Sequence, residues 1–99
     1  MQKLETRTIE IDSKVTEGVK LPASMILYAV AVDHFVITAK PLKNLEATAL
    51  AKTRVAVAAG EDKVVIKLGT KIYGFYHLDE NDYTVMVSEK DPATIVVTI

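Results

Sequence analysis

The chain has 99 residues, of which 49% are hydrophobic and 25% charged, and its formal net charge is −1. This length and balance indicate one globular domain spanning residues 1–99 and exclude a disordered chain. The charge provides no general attraction to nucleic acid or to an anionic membrane, and the absence of cysteine excludes disulfides and thiolate metal sites.

The N-terminus and the apolar runs bear on localisation. Residues 1–12 are charged and lack the apolar core of a signal peptide. The longest apolar run, Met25–Val32, is too short to span a bilayer. We therefore expect a cytoplasmic protein with neither a membrane partner nor a nucleic-acid partner.

Short strand-like segments follow one another along the chain. Val, Ile and Thr together make up about a third of the residues, an enrichment typical of pleated, half-buried surfaces. The predicted strands are Arg7–Ile11, Met25–Val32, Phe35–Thr38, Arg54–Ala59, Lys63–Leu68, Lys71–Leu78, Tyr83–Ser88 and Thr94–Ile99. Turn-forming residues separate them at a spacing of roughly 8–12 residues, which predicts an all-β fold, an antiparallel sandwich or barrel.

One segment fits this pattern less well. Pro41–Lys52 is rich in Leu, Ala, Lys and Glu and has a proline near its start. These residues favour a short helix. A strand that ends in the Ala-Thr-Ala-Leu-Ala run of residues 47–51 is the alternative, and both assignments stay open.

Nothing in the sequence has the pattern of a catalytic or metal site. The two histidines, His34 and His77, lie far apart without metal-ligand spacing, and we expect both to be structural. The acidic run Asp79–Asp82 lacks the spaced oxygen ligands and central glycine of a calcium loop. With no Gly-rich phosphate loop and no nucleophile elbow, we expect no enzyme activity, no cofactor and no metal.

The C-terminal half carries a family resemblance. Its segments are Val64–Ile72, Tyr73-Gly74, Leu78–Tyr83 and Ser88–Val96. In order and spacing they resemble the co-chaperonin (GroES, ten-kilodalton chaperonin) family, in which a V-K-x-G-D-x-V strand leads to a hairpin and the chain closes on S-E-x-D. Thr70 replaces the aspartate of the first motif, and Pro92-Ala93 replaces an aliphatic pair. Divergence of this size is expected of a virus-encoded or otherwise specialised member.

The N-terminal part resembles the same family. Leu4–Ile11 is similar to its first strand, and Gly18-Val19-Lys20-Leu21-Pro22 is similar to the G-G-I-[MV]-L-P consensus of its mobile loop. The resemblance implies a flexible loop over residues 13–24. In it Val19, Lys20 and Leu21 contact the apical domains of a GroEL-type chaperonin, with Gly18 and Pro22 as hinges. Lys20 departs from the hydrophobic residue that the family has at the middle position.

The segment between the two similar regions is longer than the roof hairpin that the family has at this place. The resemblance implies a small antiparallel GroES-like β-barrel in which residues 33–62 form an inserted roof hairpin, with Phe35–Lys40 against Arg54–Ala59. A second register makes Asp33–Lys40 the first strand and Lys52–Ala58 the strand after a shortened loop. That register leaves the mobile-loop similarity unexplained, so we rank it second.

The function that the resemblance implies is that of a co-chaperonin lid. Such a protein forms a homo-oligomeric ring, a heptamer in the family, and weak contacts from several loops add up to a tight but reversible cap. A structural assembly protein, such as a virion or shell component, is the alternative use of the same barrel. A small-barrel nucleic-acid binder ranks third. Such a protein needs a basic groove with stacking aromatic side chains, whereas the charge of this chain is balanced and its aromatic residues are few.

Overall fold

Seven β-strands and two short α-helices occur in the part of the chain that the computed structural model describes, residues 8–12, 14, 21–60, 62–78, 82–88 and 94–99. In chain order they are β1 (Thr8–Asp12), β2 (Ser24–Ala29), β3 (His34–Thr38), α1 (Lys43–Thr48), β4 (Ala51–Ala59), β5 (Lys63–Lys67), α2 (Thr70–Phe75), β6 (Thr84–Ser88) and β7 (Thr94–Thr98). Each strand overlaps a predicted one, and only the prediction for Lys71–Leu78 is wrong about the type of element.

The strands form one antiparallel sheet that curls into a nearly closed barrel. Their order is β1-β5-β4-β2-β3-β7-β6, and every neighbouring pair is antiparallel. The two end strands approach each other, since the Glu10 N–H donates a hydrogen bond of 3.3 Å to the Tyr83 hydroxyl just before β6. The prediction of an all-β protein with a small antiparallel barrel is confirmed.

The barrel interior is filled by alternate residues of the strands. Because successive side chains of a strand point to opposite faces, one face of each strand supplies the core. The buried core cluster comprises Ile9, Ile11, Met25, Leu27, Ala29, Phe35, Ile37, Val55, Val64, Ile66, Leu68, Ile72, Tyr76, Leu78, Ile95 and Val97. In β1 this face carries Ile9 and Ile11, the apolar positions of a segment in which polar and apolar residues alternate.

Helix α1 packs over the outer face of the sheet through one tyrosine. Tyr28 of β2 is fully buried on that face. Its hydroxyl accepts a hydrogen bond of 3.2 Å from the Leu42 N–H and donates one of 2.5 Å to the Glu46 carboxylate. The Lys52 ammonium lies 3.1 Å from the same carboxylate. The two readings of residues 41–52 therefore each hold in part, because a helix over Lys43–Thr48 is followed by a strand that begins at Ala51.

Helix α2 replaces the strand predicted over Lys71–Leu78. Ile72 and Tyr76, four residues apart, are buried in the core, whereas Lys71 and Phe75 are exposed. Apolar residues crowd this segment closely enough to fit either a period of two or a helical repeat, and burial decides for the helix. It brings Ile72 and Tyr76 into the core cluster together with Leu78, which follows the helix.

Residues 33–62 supply two strands of the sheet itself. The expected pairing of Phe35–Lys40 with Arg54–Ala59 is wrong, because β2 lies between β3 and β4 and pairs with both. The physical reason is burial, since β2 carries apolar side chains on both faces. Such a strand belongs in the interior of a sheet, with a neighbouring strand along each edge and a cover over its outer face.

Candidate functional site

The residues singled out for chaperonin binding fall only partly within the described structure. Gly18, Val19 and Lys20 lie outside the described residues. Leu21 is half-buried and packs against the core cluster, and Pro22 is exposed. The predicted loop of residues 13–24 also reaches into β2, whose first residue, Ser24, pairs with Ala56. In the described structure, Leu21 thus contributes to the barrel wall.

A group of exposed apolar side chains lies where α2 meets the ends of the strands. Val32, Leu50 and Phe75 expose 76%, 63% and 49% of their surface, and we call these three residues the end patch. Leu50 is held beside the end of β2 by a hydrogen bond of 2.7 Å from its N–H to the Ala29 carbonyl. Large exposed apolar side chains at one end of a small protein are a feature of binding surfaces.

Tyr76 connects Phe75 of the end patch to the chain segment that carries Val32. Its ring contacts that of Phe75 edge to face, with the ring centroids 4.9 Å apart. Its hydroxyl donates a hydrogen bond of 2.8 Å to the carbonyl of Ala31, the neighbour of Val32 in the chain. Burial, and secondarily the negative charge of Asp33, raises the pKa of Tyr76 to about 12, so this hydroxyl stays protonated as a donor at neutral pH.

An apolar cavity of about 240 Å³ opens beside the end patch. It is lined by Ala29, Leu50, Ala51, Lys71, Ile72 and Phe75. Two end-patch residues, Leu50 and Phe75, form part of its wall, and Lys71 contributes the single charge among these lining residues. Such a cavity can receive one apolar side chain while a nearby anion contacts the ammonium group.

The charged residues near β1 form a different kind of surface. Glu10, Asp12, Lys14, Asp62, Lys63 and Tyr83 line an open cleft. The Lys63 ammonium lies 2.9 Å from the Glu10 carboxylate, and this hydrogen bond is the main cause that raises the pKa of Lys63. Because these groups are exposed and satisfy one another, they behave as an ordinary solvated surface. No group of three or more metal-ligating side chains occurs among the described residues.

The histidines have structural surroundings. His34 Nδ1 lies 2.9 Å from the Asp33 carboxylate, an interaction that lowers the pKa of Asp33. His77 follows the end of α2 with a positive φ of 51°. Of the acidic run Asp79–Asp82, only Asp82 belongs to the described residues.

Sequence reasoning missed the end patch for a specific reason. With Lys71–Leu78 taken as a strand, Phe75 is one of several alternating apolar residues and has no relation to Leu50. The signal that was available is the four-residue spacing of Ile72 and Tyr76, which places both on one side of a helix. Phe75 then falls outside the buried side.

Comparisons with known proteins identify no relative. No family model, no curated protein and no solved structure matches this chain. Within the described parts of the chain, neither helix has the length and apolar character needed to cross a membrane.

Proposed function

We propose that this protein acts by binding other polypeptide chains, with the end patch as its contact surface. The observation that supports this proposal is the combination of exposed Leu50 and Phe75 with the apolar cavity between them. Both side chains are already partly buried, so burying the rest of their surface against a partner would contribute on the order of 2–3 kcal/mol before the entropic costs of association. The end patch therefore supplies part of the binding free energy, and neighbouring contacts supply the rest.

The experiment that tests the proposal is a selection of random octapeptides displayed on phage, using the immobilised protein as bait. Its matched comparison is the variant Leu50→Lys with Phe75→Lys, which removes the apolar surface without changing a core residue. We expect peptides enriched on the wild-type protein to lose binding to the variant. Equal enrichment on both proteins would contradict the proposal.

A co-chaperonin lid is the specific form that the sequence resemblance suggests. In its favour are the order of the similar motifs and the small antiparallel barrel. Two features depart from the expected pattern, because α2 follows Gly69 where the resemblance implies a hairpin, and Leu21 packs on the barrel. Val19 and Lys20 would then carry more of the contact with a GroEL-type chaperonin.

The lid proposal is tested by sedimentation velocity with a GroEL-type chaperonin and ATP. Val19→Asp is the informative change, since Leu21→Asp would also disturb the barrel wall. A lid co-sediments with the chaperonin in wild-type form and dissociates when Val19 is changed, and a heptamer appears as a ring-sized species. If the wild-type protein sediments independently of the chaperonin at all concentrations, this form of the function is wrong.

Homomeric assembly is a second candidate, and the edge strand β6 favours it. Met86 at the centre of β6 is 66% exposed, and the strand Thr84–Ser88 carries no charge. Exposed edge strands without charges tend to pair with another chain. Light scattering over a concentration series should therefore show oligomers that Met86→Lys dissociates, whereas a monomer at every concentration would exclude this candidate.

A further inference from the structure

Strand β4 is paired over only part of its length on each side, and the two paired parts differ. Its residues Ala51–Ala56 pair with β2. On the opposite side, β5 pairs only with Ala56–Ala59. Among the described residues, no strand lies beside Ala51–Val55 on that side. The first half of β4 therefore presents an open edge on the side of β5.

The hydrogen-bond pattern shows which backbone groups face this opening. In the pairing with β2, the Val57 N–H donates to the Ala23 carbonyl at 2.8 Å. In the pairing with β5, the Gly60 N–H donates to the Lys63 carbonyl at 2.8 Å. Backbone groups alternate in direction along an antiparallel strand, so odd-numbered residues of β4 face β2 and even-numbered ones face away from it. The N–H and C=O groups of Lys52 and Arg54 consequently point into the opening.

Helix α2 forms the opposite wall of this opening. A cavity of about 480 Å³ lies between them, lined by Ala51, Lys52, Thr53, Gly69, Lys71 and Ile72. It shares Ala51, Lys71 and Ile72 with the apolar cavity beside the end patch, so the two adjoin. We call the combined space the β4–α2 groove. It offers backbone hydrogen-bonding groups on one wall and an apolar pocket at one end.

Cationic side chains line the groove, and one of them, Lys52, is paired with the Glu46 carboxylate at 3.1 Å. Lys52 and Lys71 line it, and Arg54 follows on the outer face of β4. No carboxylate is among the described residues that line these cavities. Because Lys52 is already paired, Lys71 and Arg54 supply the local positive charge that favours an acidic ligand, in a chain whose net charge is −1.

We propose that the β4–α2 groove receives an extended peptide, which adds a strand to the open edge of β4. The peptide has alternating acidic and apolar residues. In an added strand, alternate side chains face opposite sides. One set would lie beside the Lys52 and Arg54 side chains on the outer face, and the other would enter the pocket of Leu50, Ile72 and Phe75. The inference rests on the proposed function and specifies how the polypeptide is held.

The first test measures amide hydrogen exchange by NMR, with and without the synthetic heptapeptide acetyl-EVELEVE-amide. In the free protein, the amides of Lys52 and Arg54 should exchange quickly, whereas those of Thr53 and Val55, which face β2, should exchange slowly. Saturating peptide should slow exchange at Lys52 and Arg54 at least about tenfold. Binding that leaves these two amides unchanged would overturn the groove assignment and leave the end patch as the contact surface.

The second test separates the backbone contact from the charge at Arg54. Arg54→Gln removes the charge and keeps the N–H, whereas Arg54→Pro removes both, without removing a hydrogen bond of the β2 ladder. We expect the proline variant to bind the peptide at least about fivefold more weakly than the glutamine variant. Equal affinities in two folded variants would overturn the inference, and if Arg54→Pro does not fold, the exchange measurement decides.

The third test addresses the acidic character of the ligand. Lys71→Glu should weaken peptide binding roughly three- to tenfold, while Lys40→Glu, the same change at an exposed residue outside the groove, should leave it unaltered. A heptapeptide with lysine in place of each glutamate should bind more weakly. Preference for that lysine peptide or for single-stranded oligonucleotide would overturn the proposal. Slower amide exchange at Lys52 and Arg54 on raising the protein concentration alone would overturn it as well, because it would indicate that a second copy of the chain occupies the groove.

Failure of the inference is distinguishable from failure of the proposed function. The phage selection reads out binding at Leu50 and Phe75 for any peptide sequence. The exchange and Arg54 measurements read out strand addition to β4. Peptides that depend on the end patch but leave the Lys52 and Arg54 amides exposed would refute the strand addition alone.

Discussion

At the scale of single residues, Tyr76 joins three parts of the fold. Its ring lies 4.8 Å from that of Phe35 between centroids, and its hydroxyl is within donating distance of the Ala31 and His34 carbonyls, at 2.8 and 3.1 Å. A buried hydroxyl without acceptors would destabilise the fold, so both carbonyls matter to its placement. One side chain thus connects the end of α2 to the turn between β2 and β3.

The role of Tyr76 leads to a prediction for Tyr76→Phe. The substitution removes the donor but keeps the ring, and it should lower the free energy of unfolding by roughly 1–2 kcal/mol, measured by urea denaturation at neutral pH. A change below the error of the measurement would contradict this role. Tyr83→Phe serves as the control, because the Tyr83 hydroxyl accepts only a long exposed bond of 3.3 Å from Glu10 among the described residues.

The raised pKa of Tyr76, about 12 in the fold, predicts how stability depends on pH. Above about pH 10 an unfolded tyrosine ionises, while Tyr76 in the fold keeps its proton. The unfolded state is then favoured, so the contribution of Tyr76 is complete below pH 10 and is lost as the pH rises toward 12. Urea denaturation between pH 8 and 12 should show a smaller loss of stability in Tyr76→Phe than in the wild type.

At the scale of elements, both helices depend on tertiary contacts for their stability. Each has six residues, far below the length at which an isolated helix is stable in water. Helix α1 is held by the Tyr28 hydroxyl, which also lowers the pKa of Glu46. Helix α2 is held by the burial of Ile72 in the barrel end. Neither helix follows from intrinsic propensity alone.

The C-terminal end of α2 provides a prediction of increased stability. The His77 N–H donates to Gly74 and the Leu78 N–H to Tyr73, each at 3.2 Å. This pattern places His77 in the left-handed conformation at which helices usually have glycine. His77→Gly should therefore stabilise the protein by about 0.5–1 kcal/mol, seen as a higher urea midpoint with an unchanged slope. His77→Ala, which keeps a Cβ, should show no such gain.

At the scale of the whole molecule, the barrel is built from strands that are distant in sequence. Thr8 pairs with Lys67, and His34 pairs with Thr98. The chain between two such strands must close into a long loop, at a cost in conformational entropy, before the contacts between the strands can form. The sheet therefore depends on cooperative formation of several pairs at once.

This topology predicts slow folding for a domain of this size. We expect refolding over roughly milliseconds to seconds, as in other domains dominated by non-local pairs, measured by stopped-flow tyrosine fluorescence after dilution from urea. Refolding complete within tens of microseconds would show that local contacts dominate instead.

Ile66→Ala in the central core should lower the free energy of unfolding by roughly 2–5 kcal/mol and provides a reference for the rate measurements.

Much of the fold and little of the site could be predicted. Alternation marks β1 through Ile9 and Ile11, because a strand with one wet face repeats every two residues. It fails at α2, where apolar residues fit two periods. The predicted loop residues Val19 and Lys20 stay a prediction, whereas Leu50 and Phe75 were not singled out at all.

The sequence by itself determined that the protein is all-β and where seven strands lie, since local periodicity and turn residues are sufficient for that. Only the tertiary structure decided that β2 lies between β3 and β4, that Lys71–Leu78 contributes a helix, and that the first half of β4 is open beside it. The physical reason is that sheet order and open edges depend on pairing between distant segments. The sequence of a short segment shows the spacing of its own apolar residues but does not identify the strand with which it pairs.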